Sequence, residues 1–155
     1  MVDIIIRKLK NTDIDIISFL VNKFSHEWII PEKEIKEEFV DASFLGSFPY
    51  IFIAVAENGE FVGDIILSIE KDWFLGIDNE VWISGVFVVE KYRNQGIARK
   101  LISQAESVVL ECGYKNLYLD TIHASGYYQK IGGWVEIGKD TWKDEEVIIM
   151  KKELL

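Results

Sequence analysis

VWISGVFVVEKYRNQGIARKL, residues 81–101, runs from an almost unbroken apolar stretch to a glycine set among basic and amide side chains, and then into a segment of helical spacing. Val81 to Val89 shows too little alternation for a strand with one wet face, so it reads as a central strand covered on both. From Ala98 onward the apolar positions Leu101, Ile102, Ala105, Val108, Val109 and Cys112 recur at helical spacing, and Gly113 stands where a C-terminal cap belongs. On that stripe Cys112 is expected to be a small core residue. Between strand and helix lies Arg93-Asn94-Gln95-Gly96. A helix N-terminus presents backbone N–H groups without internal partners at the positive end of the helix dipole, and glycine lets a ligand approach them closely. The junction is therefore a candidate anion cradle. Arg93 can add a charge-assisted contact there, while Lys91, Arg99 and Lys100 complete a basic cluster.

The rest of the chain supplies partners for this unit. Asn116 to Thr121 alternates Leu117 and Leu119 with Tyr118 and Asp120, so strand, helix and strand form a parallel crossover. A short helix, Ala124 to Ile131, and strands near Trp134 to Gly138 and Glu146 to Lys151 follow. Upstream, Tyr50 to Glu57 and Phe61 to Glu70 are strand-like runs joined at Glu57-Asn58-Gly59-Glu60, where Asn-Gly is expected to supply the positive φ angles of a tight hairpin. Asp3 to Leu9 reads as a β-branched strand. Asp13 to Phe24 reads as a helix with Thr12 or Asp13 as its N-cap, and a second short helix is expected with Pro31 as its first residue. No repeat or linker interrupts the chain. The expectation is one domain over residues 1–155, of α/β class with a mixed sheet.

Composition narrows the function classes. A chain of 155 residues that is 49% hydrophobic can bury a sizeable core. A net charge of -9 and a pI near 4.7 argue against a protein that coats nucleic acid. The apolar runs fall short of the roughly 20 residues that span a bilayer. The absence of a secretory pattern and the lone Cys112 point to the cytoplasm. His26, His123 and Cys112 lack the spacing of a ligand set, so no metal is expected.

Neither a G-x-x-x-x-G-K-[ST] run nor a G-x-G-x-x-G run occurs at the junction, which disfavours a nucleotide triphosphatase or a dinucleotide dehydrogenase. What occurs is Arg93-x-x-Gly96-x-Ala98. The stretch VFVVEKYRNQGIARKLI resembles the acetyl-CoA signature of the GNAT superfamily of N-acetyltransferases, and LYLDTIHASGYYQKIGGW is similar to the second half of that family's pattern. The resemblance implies a single-domain fold with a mixed, mostly antiparallel sheet and about four helices. Its central parallel strands, Val81 to Val89 and Asn116 to Thr121, would splay apart around the cofactor. It implies further that the backbone of Val86, Phe87 and Val88 pairs with the pantetheine arm of acetyl-CoA. Main-chain N–H groups of Asn94, Gln95, Gly96, Ile97 and Ala98 would hold the pyrophosphate, with Arg93 beside them.

Acetyl transfer from a thioester needs a neutral amine, a polarised carbonyl and an acid for the leaving thiolate. A phenol, with a reference pKa of about 10, still carries its proton near neutral pH, which makes Tyr127 and Tyr128 the candidate acids. The resemblance selects Tyr128, with Ala124 at the family's alanine and Tyr127 as a packing aromatic. Thr121 stands where family members carry an asparagine, a departure that touches a side-chain contact to the cofactor. It also implies that a backbone N–H near Phe87 polarises the carbonyl. No motif fixes the base: Glu80 is the first choice, followed by Asp78, Asp120 and His123. Phe24, His26, Trp28, Asp72, Trp73, Phe74, Asp78 and Glu80 are expected on the acceptor side. That acidic and aromatic set suits a small cationic amine. Acetylation of a protein N-terminus or lysine, a non-catalytic acyl-CoA sensor and a generic phosphate-binding domain are the competing readings. The C-terminal strands leave a homodimer open.

Overall fold

A computed structural model describes residues 3–71 and 73–154. In chain order its elements are β1 (Ile4–Lys8), α1 (Ile14–Trp28), α2 (Glu32–Ile35), β2 (Tyr50–Ala56), β3 (Phe61–Glu70), β4 (Glu80–Val88), α3 (Ile97–Glu111), β5 (Asn116–Thr121), α4 (Ser125–Ile131), β6 (Trp134–Trp142) and β7 (Glu145–Glu153). After α2 the chain continues through a wide π turn, Lys36–Asp41, and a 3-10 turn, Ala42–Leu45. The strands form one seven-stranded sheet in the order β1-β2-β3-β4-β5-β7-β6. Every neighbouring pair is antiparallel except β4 with β5. This is the mixed α/β architecture expected from the strand-helix-strand crossover. Among the described residues no helix is long and apolar enough to cross a membrane.

Alternation along β2 builds two cores at once. Phe52 and Ala54 face α3 and pack with Ile65, Val81, Leu101, Ile102 and Ala105. Ile51, Ile53 and Val55 face the opposite layer, where Leu20 and Phe24 of α1 meet Ile66. Leu101 and Leu20 have no exposed surface, and truncating either to alanine should cost about 2–5 kcal/mol. A third cluster, with Phe74, Trp82, Tyr118 and Ile149, packs at the first half of β7.

Several local expectations are corrected. Val81, Trp82 and Ile83 are buried, but Ser84 to Val88 are only half-buried. The β4–β5 ladder ends with Ile83 paired to Leu119, so the second half of β4 lacks a covering neighbour on that side. Only Gly59 of the hairpin turn has positive φ; Asn58 instead accepts the Glu60 N–H on its side chain at 3.0 Å. Cys112 is exposed: it is the C-terminal cap of α3, one residue beyond the last helical residue. Pro31 precedes α2 in extended conformation rather than opening it. Asp13 does not cap α1 with its side chain, because its carboxylate binds the Arg7 guanidinium in two 2.8 Å contacts. β6 and β7 run longer than their apolar residues suggested, since cross-strand pairing carries them through Lys139–Trp142 and Glu145.

Candidate active site

Gly96 lies at the N-terminus of α3 with φ 78°, a left-handed conformation that favours glycine. Among the described residues, its chain neighbours and the nearby helix backbone aside, no atom lies within 4 Å of where a Cβ would stand, so the approach to the turn is open. Asn94 is also left-handed, with φ 64°. Among the described residues no side chain caps the helix. The first N–H groups of α3, from Ile97 and Ala98, therefore lie at an open helix N-terminus, where an anion such as a pyrophosphate fits. The turn is tied down by its own side chains. Arg93 Nε donates to the Val88 carbonyl at 2.9 Å. Lys91 Nζ lies 2.6 Å from Glu60, and the Tyr92 hydroxyl donates to the same carboxylate at 2.6 Å. Arg93 and Lys91 thus fasten the cradle to the strand and hairpin beneath it.

β4 leads into this turn. On one side Val86, Phe87 and Val88 pair with Ile65, Asp64 and Gly63 of β3. A Cβ on Gly63 would collide with the Phe87 carbonyl, so glycine permits this close approach. On the other side the ladder to β5 has ended, leaving an extended edge that can accept an added strand-like chain. The register shift between Ile66 and Leu67 marks a bulge at Ser84. This arrangement fits a pantetheine arm on β4 and a pyrophosphate on α3.

Across the splay, α4 carries Tyr127 and Tyr128. Tyr127 is exposed, whereas Tyr128 is half-buried and packs edge-on to Trp134 at 5.6 Å. Burial first, then Tyr127 and the charge of Asp120, push the Tyr128 phenol up to about 12. Thr121, at the position of the family's asparagine, accepts the Ala124 N–H on Oγ1 at 2.9 Å and so shapes the entry to α4.

On the opposite face, a cavity of about 540 Å³ opens beside the end of β5. Trp28, Trp73, Trp82 and Trp142 wall it, and Glu27, Glu70 and Asp120 bring carboxylates into it. Burial, with a contribution from Glu70, raises the Asp120 carboxyl above the ordinary range, against a hydrogen bond from Trp73 that lowers it. The buried Trp82 indole N–H finds no acceptor among the described residues. Of the residues expected on the acceptor side, Trp28 and Trp73 line the cavity. Phe24 instead fills the α1 core, stacked on Trp28 at 4.6 Å, and Phe74 is buried against Trp82. Glu80 opens β4 opposite Glu70 and does not line the cavity; nor do Asp78, His26 or His123. Asp72 lies outside the described residues.

Sequence reasoning missed Glu27, Glu70, Ser84 and Trp142. Each is an ordinary surface-type or strand-end residue until the sheet order brings it to the splay. Among the described residues no group of three or more His, Cys, Asp or Glu side chains is placed to hold a metal ion.

Known proteins resemble this chain in sequence and in fold. N-alpha-acetyltransferase 30 of Schizosaccharomyces pombe is 25% identical over 121 residues, 70% of this chain and 79% of that protein. The aminoglycoside N(6')-acetyltransferase type 1 of Salmonella typhimurium strain LT2 is 31% identical over 97 residues, 61% of this chain and 63% of that enzyme, less than two thirds of its length. An aminoglycoside 6'-N-acetyltransferase solved with coenzyme A has the same fold, with a TM-score of 0.71, 18% identity and 97% of each chain covered. Residues 15–133, from α1 to the end of α4, match the Acetyltransferase (GNAT) family. The chain belongs to that family of acetyltransferases, for which acetyl-CoA is the acyl-donating cosubstrate.

Proposed function

We propose that residues 1–155 form one N-acetyltransferase domain that moves the acetyl group of acetyl-CoA directly to a primary amine of a small cationic acceptor. The cavity carries this reading. Three carboxylates, Glu27, Glu70 and Asp120, stand among four tryptophans, a lining that attracts ammonium groups by charge and by cation–π contact. The aminoglycoside enzymes it resembles act on amines of that kind.

The donor side is assigned to the backbone of Val86, Phe87 and Val88 for the pantetheine arm. Asn94 through Ala98 take the pyrophosphate, with Arg93 presenting its remaining guanidinium nitrogens. A Phe87 N–H polarises the carbonyl. Asp120, rather than Glu80, receives the proton of the incoming ammonium, because it lines the cavity and its raised pKa makes it the stronger base. Tyr128, held as a phenol by burial, gives its proton to the departing thiolate.

A panel of monoamines, polyamines, aminoglycosides and peptides with free N-termini, scored by thiol release, tests this reading. Turnover is expected to be highest with acceptors carrying two or more cationic groups. Preferential acetylation of a peptide N-terminus would move the assignment to protein substrates, and calorimetric acetyl-CoA binding without thiol release would make the chain an acyl-CoA sensor.

A further inference from the structure

Ser84 sits at the bulge of β4, two residues before Val86, and lines the acceptor cavity. Its Oγ lies 2.5 Å from Ser68 Oγ, and Ser68 Oγ donates to Glu70 Oε1 at 2.8 Å. Ser68 is buried, only 5% exposed. A serine hydroxyl has one proton. Ser68 spends its proton on Glu70, so in the Ser68–Ser84 pair Ser84 must be the donor. Ser84 Oγ then has only lone pairs left to offer, and anything else that binds it must bring an N–H or O–H. Ser68 and Glu70 also line a second cavity of about 430 Å³, bounded by Phe48 and Pro49.

We propose that Ser84, Ser68 and Glu70 form a hydroxyl relay that carries a proton from the acceptor nitrogen to the second cavity. The proposal rests on the amine-acetylation reading above. An acceptor entering as an ammonium must lose two protons. Asp120 takes the first, freeing the nitrogen lone pair. As the C–N bond forms and the C–S bond breaks, the thiolate takes a proton from Tyr128 and the nitrogen must shed its second; exchange with solvent afterwards reprotonates the Tyr128 phenolate and deprotonates Asp120. That proton passes to Ser84 Oγ while the Ser84 proton moves to Ser68 and the Ser68 proton to Glu70 Oε1. Glu70 then loses it to water from the second cavity. Glu70 lines both cavities, so a proton that reaches it through the serines can leave on the side away from the acceptor. Ser84 is the catalytic member that meets the nitrogen; Ser68 acts through it.

The test uses the full chain with its best amine, comparing Ser68→Ala, Ser68→Thr, Ser84→Ala, Glu70→Gln and the Ser68→Ala/Glu70→Gln double variant. Ser68→Ala and Ser84→Ala are expected to lower kcat by about 100-fold, within the range of general acid–base effects, with the amine KM changed less than about two-fold. The wild-type rate should depend non-linearly on the deuterium fraction of the solvent, reporting several protons in flight, and Ser68→Ala should make that dependence linear. The double variant should be no slower than the worse single variant, and Ser68→Thr, which keeps the hydroxyl, should restore most of the rate. Wild-type kcat and deuterium dependence in folded Ser84→Ala would overturn the relay, as would additive losses in the double variant. A wild-type chain that acetylates no amine ends the underlying reading and the relay together; an active wild type with indifferent serines ends the relay alone.

Discussion

Lys23 Nζ lies 2.9 Å from Asp64 Oδ2 in an ion pair whose carboxylate has no exposed surface. Lys23 projects from α1 and Asp64 from β3, directly opposite Phe87 of β4. The same ammonium stands 4.4 Å from the Phe87 ring centroid and 4.6 Å from that of Phe24. The pair therefore fixes α1 against the back of the strand assigned to the cofactor. Burial dominates its electrostatics: the Asp64 carboxyl is pushed up to about 6 despite Lys23, with the charge of Glu27 acting in the same direction.

A pH-dependent stability follows from this burial. The unfolded carboxyl titrates near 3.8 and the native one near 6, so between these values the native state binds more protons. Stability contributed by Asp64 is full below about pH 4, falls as pH rises through 6, and is flat above. At about 1.4 kcal/mol per unit the loss is about 3 kcal/mol. Urea melts of wild type and Asp64→Asn at intervals from pH 4 to 7 isolate it, because the other groups cancel in the difference. The stability difference, wild type minus variant, should fall by about that amount. A difference independent of pH would mean that Lys23 keeps Asp64 ionised throughout.

Tyr128→Phe should reduce kcat by about 100-fold, while the acetyl-CoA dissociation constant measured by calorimetry changes less than about three-fold. Since the phenol is pushed up to about 12, it stays protonated across the working range, and no basic limb from this group should appear below about pH 10. A wild-type rate in the variant would remove Tyr128 from the mechanism.

The strand, turn and helix to which we assign the donor were legible in the sequence because they are local. A strand, a left-handed glycine and an uncapped helix follow one another within residues 81–101, so spacing alone places Val86, Gly96 and Ala98 together. The splay was legible only through family resemblance; in the structure it is a ladder that ends after Ile83 and Leu119. The acceptor half is assembled from the end of α1, the end of β3, the bulge of β4, the end of β5 and the end of β6. No periodicity marks those carboxylates, and in a chain of net charge -9 an acidic residue carries little information of its own. Glu80 looked favourable because it abuts the central strand, but it is not part of the cavity lining. Cys112 followed the helical spacing of its neighbours, yet the helix ended at Glu111 before the stripe could bury it.

Gly96→Ala separates cofactor binding from folding. The residue has φ 78°, and holding an L side chain there costs on the order of 1–2 kcal/mol. Among the described residues nothing beyond the neighbouring backbone stands near the new methyl group, so no packing clash adds to that cost. The new methyl group instead meets the bound pyrophosphate. Acetyl-CoA affinity should fall by at least about ten-fold while the melting temperature drops by only a few degrees. Unchanged affinity would move the pyrophosphate away from this turn.

Asp120→Asn tests which carboxylate is the base. Asp120 must be ionised to take a proton from the incoming ammonium, so kcat/KM should fall as pH drops through its raised pKa. The variant should lose about 100-fold in kcat/KM near neutral pH and lose that acid limb. Glu80→Gln should keep both the rate and the limb, since Glu80 lies outside the cavity lining. Glu70→Gln gives a further discrimination. The Glu70 charge helps to raise Asp120, so removing it should move the limb toward lower pH even though the relay is broken and kcat falls. Losing the limb in Glu80→Gln while Asp120→Asn kept it would return the base to the start of β4.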